Sequence, residues 1–419
     1  MIQSLSLGKI TIDRLQSGPL EPYLEALAEA LHTEGYANRT IRRYLRRADL
    51  FARWITDNGI PITCIDEPTV SLYVSNFQRL KHKIRESGRL PDRAVGIQKL
   101  HTVLRQLGVI RAPAGYSPRT AVERWLSDFD RYLRETIGLA EGTRQRYLHY
   151  AGAFMQWRFE EAAPDWKALC ADDVVNFILE QAGKLNLSSR QSPVTAMRAF
   201  LRFLAAKGEV HGGLVGAVPT VRRYKLASLP NYLSVEEVNR VIASCDLTTS
   251  LGRRDKAIIT LLVRLGLRAG EIVRLRIDDI DWYEGHILVR AGKSCRERTL
   301  PLPADVGDTL VNFLRHGRPE SVHREVFLRS RPPYRPFKNS AAISSIALRH
   351  LNRAGISSCR LGSHVFRHTA ATHMVQGGAT FKEVADVLGH ACLETTAIYA
   401  KLDLGALAAI ALPWPGGGR

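Results

Sequence analysis

The chain has 419 residues, 45% of them hydrophobic, with 59 lysines and arginines against 41 acidic residues and a formal net charge of +18. That length accommodates two or three domains of ~100–200 residues with real cores, which excludes a purely basic tail. A positive excess of this size favours a polyanionic partner. No stretch approaches ~18 uninterrupted apolar residues, so no membrane span is expected. The start, MIQSLSLGKITIDRL, lacks the basic and apolar regions of a signal peptide. Cys64, Cys170, Cys245, Cys295, Cys359 and Cys392 form no CxxC pair and read as reduced thiols of a cytoplasmic protein.

Residues 1 to about 18 carry little pattern and suit an arm or a short strand. From about Leu20 to Leu107 the periodicity is helical. In NRTIRRYLRRADLFARWI the apolar residues Ile41, Tyr44, Leu45, Ala48, Phe51, Ala52 and Ile55 form one stripe at helical spacing. The remaining face carries Arg39, Arg42, Arg43, Arg46 and Arg47, which reads either as a solvated face or as a DNA contact. A second basic run, Arg79, Lys81, Lys83, Arg85 and Arg89, falls at a helix end and loop.

Residues 119 to about 209 repeat that design. TRQRYLHYAGAFMQWRF matches TIRRYLRRADLFARWI at an offset of 103, so that Thr143 answers to Thr40, Tyr147 to Tyr44, Phe154 to Phe51 and Trp157 to Trp54. ADDVVNFI echoes EPTVSLYV, and TAMRAFLRFLAAKG echoes GIQKLHTVLRQLGV. Two helical bundles of one ancestry are therefore expected, over 1–110 and 119–212. A linker at 213–229 follows, rich in Gly and Pro, with Arg222, Arg223 and Lys225 suited to crossing a phosphate backbone.

The domain over 230–403 opens with a capping box, Ser234 with Glu237. An apolar helix, AIITLLVRLGL, leads into Leu265–Glu271, LGLRAGE. The one β region is LRIDDIDWYEGHILVRAGKSCRERTLPLP, with ILVR and RTLPL as short strands and AGKSC as their turn. The fold class is thus mainly α with a small antiparallel β-sheet: two helical bundles ahead of a mixed α+β domain.

Near the C-terminus, HVFRHTAATHMVQ reads as a helix from about His364 to Gln376, stopped by Gly377 and Gly378. A second helix opens at Thr380, capped in a box with Glu383, and ends at Gly389 in a left-handed turn. That corner aims His390, and Tyr399 follows nine residues later. An arginine fork suits non-bridging phosphate oxygens. Histidines can donate or shuttle a proton near neutral pH, and a tyrosine can serve as an oxygen nucleophile. His364 and His368, one turn apart, also admit a zinc reading, but no Cys pair or acidic ligand stands at a usual spacing. The tail over 404–419 begins as a short apolar helix, LGALAAIAL, ended by Pro413.

The ordered set of Gly-Leu-Arg-x-x-Glu, His-x-x-Arg, Leu-Gly-His and a tyrosine nine residues on resembles the tyrosine recombinases, the phage integrase family of site-specific DNA recombinases. The resemblance covers roughly Leu229 to Tyr399. It implies catalytic Arg268, Lys293, His364, Arg367, His390 and Tyr399, the last as nucleophile with His364 assisting the proton movements around it. It selects Lys293 because the family carries a lysine on such a hairpin in a Gly-Lys context, with the nearby Arg296 and Arg298 as lesser alternatives. The bundle over 119–212 resembles the family's core-binding domain, and residues 1–110 resemble an extra copy. For that copy three roles remain open: a DNA contact, a contact with a neighbouring protomer, or a spacer.

The implied partner is double-stranded DNA, held by a dimer per site and a homotetramer at exchange, with no metal or other cofactor. The tail is a candidate subunit contact. Arg39, Arg42, Arg43, Arg46, Arg222, Arg223 and Lys225 are candidate DNA contacts. The implied reaction is strand cleavage through a 3′-phosphotyrosyl link and rejoining, in the service of a mobile element. Two rivals are an enzyme of the type IB topoisomerase kind and a DNA-binding regulator without catalysis. The presence of the full set of reactive side chains argues against the second.

Overall fold

The computed structural model describes residues 5, 18–79, 92–110, 120–160, 162–186, 189–220, 231–292, 297–356, 362–390, 392, 396 and 398–399. Two compact units are present, one formed by residues 112–225 and the other by residues 1–111 together with 226–419. The expected arm, the basic run Lys81–Arg89, the linker cations Arg222, Arg223 and Lys225, the hairpin turn with Lys293 and Arg296, and the tail over 404–419 lie outside the described residues.

In the first bundle the apolar stripe closes four helices on one another: α1 (Glu21–Thr33), α2 (Asn38–Asp57), α3 (Glu67–Arg79) and α4 (Asp92–Gln106). Ile41, Leu45, Phe51 and Ile55 of α2 are buried against Leu24, Leu27 and Leu31 of α1 and Ile97, Leu100 and Leu104 of α4. The residues left outside that stripe are the arginines, as helical periodicity requires.

The unit at 112–225 holds α5 (Ala121–Glu135), α6 (Glu141–Phe159), α7 (Ala171–Gly183) and α8 (Gln191–Ala206). Its core is aromatic, with Phe129, Phe154, Phe177, Phe200 and Phe203 buried. Thr120 and Glu123 close a capping box that starts α5.

The C-terminal part runs α9 (Val235–Ala243), α10 (Ser250–Leu265), α11 (Ala269–Arg274), β1 (Ile280–Asp281), β2 (His286–Val289), β3 (Arg298–Pro301), α12 (Ala304–His316), α13 (Ala341–Arg353), α14 (Ser363–Gln376) and α15 (Phe381–Leu388). The Ser234–Glu237 capping box starts α9 as expected. Helix α10 is apolar on nearly every side from Ala257 to Leu265 and is buried there, as an all-round hydrophobic helix must be. The strands form one antiparallel sheet in the order β1-β2-β3, with Ile287 opposite Leu300. The architecture is thus mainly helical with a small antiparallel sheet, and the sheet carries Arg298 to the edge of the helical core.

Candidate active site

The site is assembled at the C-terminal end of α15. A helix leaves its last carbonyls without partners, and its dipole makes that end negative. Three arginines take three consecutive carbonyls there. Arg298 Nε donates to Val387 O at 2.7 Å, Arg367 Nη2 to Leu388 O at 2.7 Å and Arg268 Nη2 to Gly389 O at 2.9 Å. Arg367 Nη1 also donates to Gly266 O at 2.7 Å, where α10 ends. Gly266 takes φ +59°, and a Cβ there would lie 2.6 Å from Leu388 Cδ2 and 3.2 Å from Ala370 Cβ. Only glycine therefore permits both the left-handed turn and the close approach of α14 and α15.

Glu271 fixes the arginines to one another. Its Oε1 accepts from Arg268 Nη1 at 2.9 Å and Arg298 Nη1 at 3.1 Å, and its Oε2 accepts from Arg298 Nη2 at 3.0 Å. Oε2 also accepts the Arg268 backbone N–H at 2.8 Å, which starts α11. Burial alone would push this carboxyl up, but the Arg298 fork and then Arg268 hold it below the ordinary carboxylate value. Glu271 is therefore ionised, and it orients Arg268 rather than reacting.

The histidines are kept neutral. Burial, then the charges of Arg367, Arg268 and Arg298, holds His390 down at about 4. Its Nδ1 lies 2.7 Å from Thr396 Oγ1, and its backbone N–H donates to Ala385 O at 2.9 Å. His364 is lowered by burial and by Arg367 and Arg268. His368 is lowered by burial, His364 and Arg367. Burial and the neighbouring Arg268 bring Arg367 down to about 10, so it stays charged at neutral pH.

Tyr399 is buried at 2% exposure beside Ala371, Val375, Val384 and Leu388. Burial pushes its phenol up to about 12, with Arg367 acting in the opposite sense. Its Oη lies 2.9 Å from His368 Nδ1. The phenol is thus protonated and stowed on a neutral imidazole.

Arg268, Arg367 and His390 are brought together at this helix end, and His364 senses both arginines. His364 is expected to work beside the phenol, and the imidazole hydrogen-bonded to Tyr399 is that of His368, one helical turn on. Lys293 and Arg296 lie outside the described residues. His368 was seen in the sequence only as a zinc candidate, and Arg298 only as a minor alternative to Lys293. Signals for both existed. Arg298 shares a strand face with buried Leu300, so its charge needed a buried partner. His368 follows His364 by four residues and therefore shares its helix face. Among the described residues no group of three His, Cys, Asp or Glu side chains could hold a metal. Of the candidate DNA contacts on α2, Arg39, Arg43 and Arg46 are exposed and Arg42 is half-buried.

Against known families, the phage integrase family model matches residues 231–404, and the phage integrase N-terminal SAM-like domain model matches residues 126–208. The chain is 36% identical over 405 residues to integrase/recombinase y4rA of Sinorhizobium fredii, covering 97% of each chain. Its fold is similar to that of XerH site-specific recombinase in a post-cleavage complex with a palindromic difH substrate, at a TM-score of 0.55 and 20% identity, covering 84% of this chain and 98% of that one. It is also similar to a lambda integrase tetramer bound to a Holliday junction, at a TM-score of 0.51 and 16% identity, covering 74% and 95%.

Proposed function

Because the chain belongs to the phage integrase family of tyrosine site-specific recombinases, enzymes that cleave and rejoin DNA, we propose that Tyr399 is its nucleophile and that the α15 end is its phosphate cradle. The observation that carries this reading is the convergence of Arg268 and Arg367 on adjacent carbonyls immediately before His390. Each guanidinium has five donors, and each commits only part of them to protein acceptors. The rest face a scissile phosphate, joined by the His390 imidazole, and stabilise the extra negative charge of the transition state.

Tyr399 leaves its bond to His368 and attacks the phosphorus. The P–O5′ bond breaks, the 3′-phosphate becomes esterified to the phenol, and the 5′ oxygen leaves. Lys293 protonates that oxygen, and His364 takes up the phenolic proton at the nucleophile side. Attack by a partner strand's 5′-hydroxyl reverses the step and releases Tyr399. The diester bond energy is conserved in the phosphotyrosine, so neither nucleotide nor metal is consumed.

Exchange between two duplexes requires a protomer for each strand cut, hence a dimer on each site and a tetramer at the junction. The lambda integrase tetramer on a Holliday junction supports that assembly. The substrate is the double-stranded DNA of a mobile element within the cytoplasm. No helix among the described residues is long and apolar enough to cross a membrane.

Tyr399→Phe should abolish covalent protein–DNA adducts on a nicked suicide substrate while DNA binding survives. Adducts that persist in the variant would remove Tyr399 from the nucleophile role.

A further inference from the structure

The first bundle repeats the second in internal geometry as well as in sequence. Each runs two helices, a 3-10 turn and two more helices, with the turns at Ile62–Cys64 and Trp166–Ala168. In the first, Phe51 stacks on Trp54 at 6.0 Å and 17°, and Tyr73 meets Phe51 edge-on at 4.9 Å and 73°. In the second, Phe154 stacks on Trp157 at 6.3 Å and 24°, and Phe177 meets Phe154 at 5.2 Å and 71°. The last helices end alike. Gly108 at φ +70° follows α4 and Gly208 at φ +75° follows α8. Val109 N–H donates to Leu104 O at 2.9 Å, and Glu209 N–H donates to Leu204 O at 3.0 Å. The SAM-like domain model matches the second copy, over residues 126–208.

The shared parts are the core, while the surfaces have diverged. At the 103-residue offset, Arg39, Arg42 and Arg46 of α2 answer to Gly142, Gln145 and His149 of α6, and only Arg43 finds an arginine, Arg146. Helix α2 has no acidic residue in its first turn, and its first carboxylate, Asp49, is engaged by Arg53. Like charges at i,i+3 and i,i+4 oppose a helix, and here they run from Arg39 through Arg47. Cores of protein–protein interfaces are depleted of charge, whereas phosphate backbones reward clustered arginines. Arg39, Arg43 and Arg46 span eight residues of helix, a rise of about 10 Å, enough to meet several phosphates.

The bundle belongs to the same compact unit as the active site. Glu34, in the turn after α1, accepts from Lys99 Nζ at 2.7 Å and from Arg335 of the C-terminal part. The Tyr334 ring lies against Gly35, where a Cβ would come within 2.6 Å of it.

We propose that α1–α4 are a second core-binding-type module, and that the arginine face of α2 grips the backbone of the duplex on which the recombinase acts. The proposal rests on the recombinase reading for the identity of the polyanion. It is tested in the full chain with Arg39→Gln, Arg43→Gln and Arg46→Gln combined, by fluorescence anisotropy on a labelled duplex of arbitrary sequence across a salt series. Loss of three phosphate contacts should make the slope of log affinity against log salt shallower by about 2–3, and binding at low salt should weaken about tenfold or more. The corresponding triple lysine variant should keep most of the slope, because phosphate contact needs charge. An unchanged slope overturns the proposal. An unchanged slope with loss of self-association in the ultracentrifuge also overturns it and assigns the face to a protein contact. Covalent adduct formation by the wild type is read separately: its absence sinks the recombinase reading without moving the salt slope.

Discussion

Arg298 offers the most direct test of how the cradle is held. Its side chain is 9% exposed and that of Glu271 is 5% exposed. Arg298→Ala removes both bonds of the fork to Glu271 and the bond to Val387 O. Breaking a buried ion pair by deleting one partner costs about 3–5 kcal/mol, because the remaining charge loses its compensation. Arg268 still contacts Glu271, at 30% exposure, so the lower end, about 3 kcal/mol, is expected, or about 10²-fold in an opening equilibrium. Native-state hydrogen exchange of the α11 and α15 amides, expressed as protection factors, reads that change directly. The pH dependence gives a second handle. In the wild type the Glu271 carboxyl is depressed, so its contribution is present above the unfolded value and is lost as pH falls through the folded one. In the variant burial prevails and the carboxyl titrates higher. The deficit should therefore be largest at neutral pH, where Glu271 is ionised, and shrink as pH falls and Glu271 takes up a proton. Arg298→Lys, which keeps the charge without the fork, should recover part of the protection. A deficit under about 1 kcal/mol, or one independent of pH, would refute the view that Glu271 is held ionised by this fork.

Three further outcomes follow from the same geometry. Gly266→Ala forces a left-handed non-glycine residue against Leu388 Cδ2 at 2.6 Å. It should cost about 2 kcal/mol or more in calorimetry and slow adduct formation, and an unperturbed variant would show that the α10–α15 approach is adjustable. His390 is held at about 4, below its ordinary value of 6.5. A depressed histidine binds its proton first in the unfolded chain, so stability should fall by up to about 3 kcal/mol as pH drops from about 6.5 toward 4. His390→Gln should flatten that part of the calorimetric pH profile, and an identical slope would detach it from His390. Cleavage should survive EDTA, because on the proposed reading Arg268 and Arg367 supply the positive charge at the phosphate, and His368 is engaged by Tyr399. Loss of adducts on chelation, restored by zinc, would revive the reading of His364 and His368 as ligands.

Local rules made much of this legible in the sequence. The Thr380–Glu383 capping box and Gly389 at φ +63° bound α15 where the pattern placed it, because caps and left-handed glycines act over a few residues. The stripe on α2 buried as its spacing predicts. The tertiary pairings were hidden. Nothing near Glu271 in the chain announces that Arg298, 27 residues away, will fork onto it. The hydrogen bond between His368 and Tyr399 joins residues 31 apart. Such pairs are fixed by how a strand and two helices meet, and periodicity carries no information about that.

On the proposed reading, Arg268 and Arg367 serve folding and phosphate binding at once. The α15 end presents carbonyl oxygens, partial negative charges in a row, and Arg268, Arg298 and Arg367 are aligned on them before any DNA arrives. Orientation is thereby established in advance, which lets a preorganised donor act without reorganising at the transition state. Deleting Arg367 would leave the Gly266 and Leu388 carbonyls short of donors, and on the proposed reading the phosphate too. The loss of cleavage in such a variant would mix a packing defect with a chemical one. Tyr399 is the cleaner probe: its stowed phenol has one hydrogen-bond partner among the described side chains, His368. Replacing it with phenylalanine keeps the ring in its apolar nest, so any lost reaction is assigned to the missing oxygen.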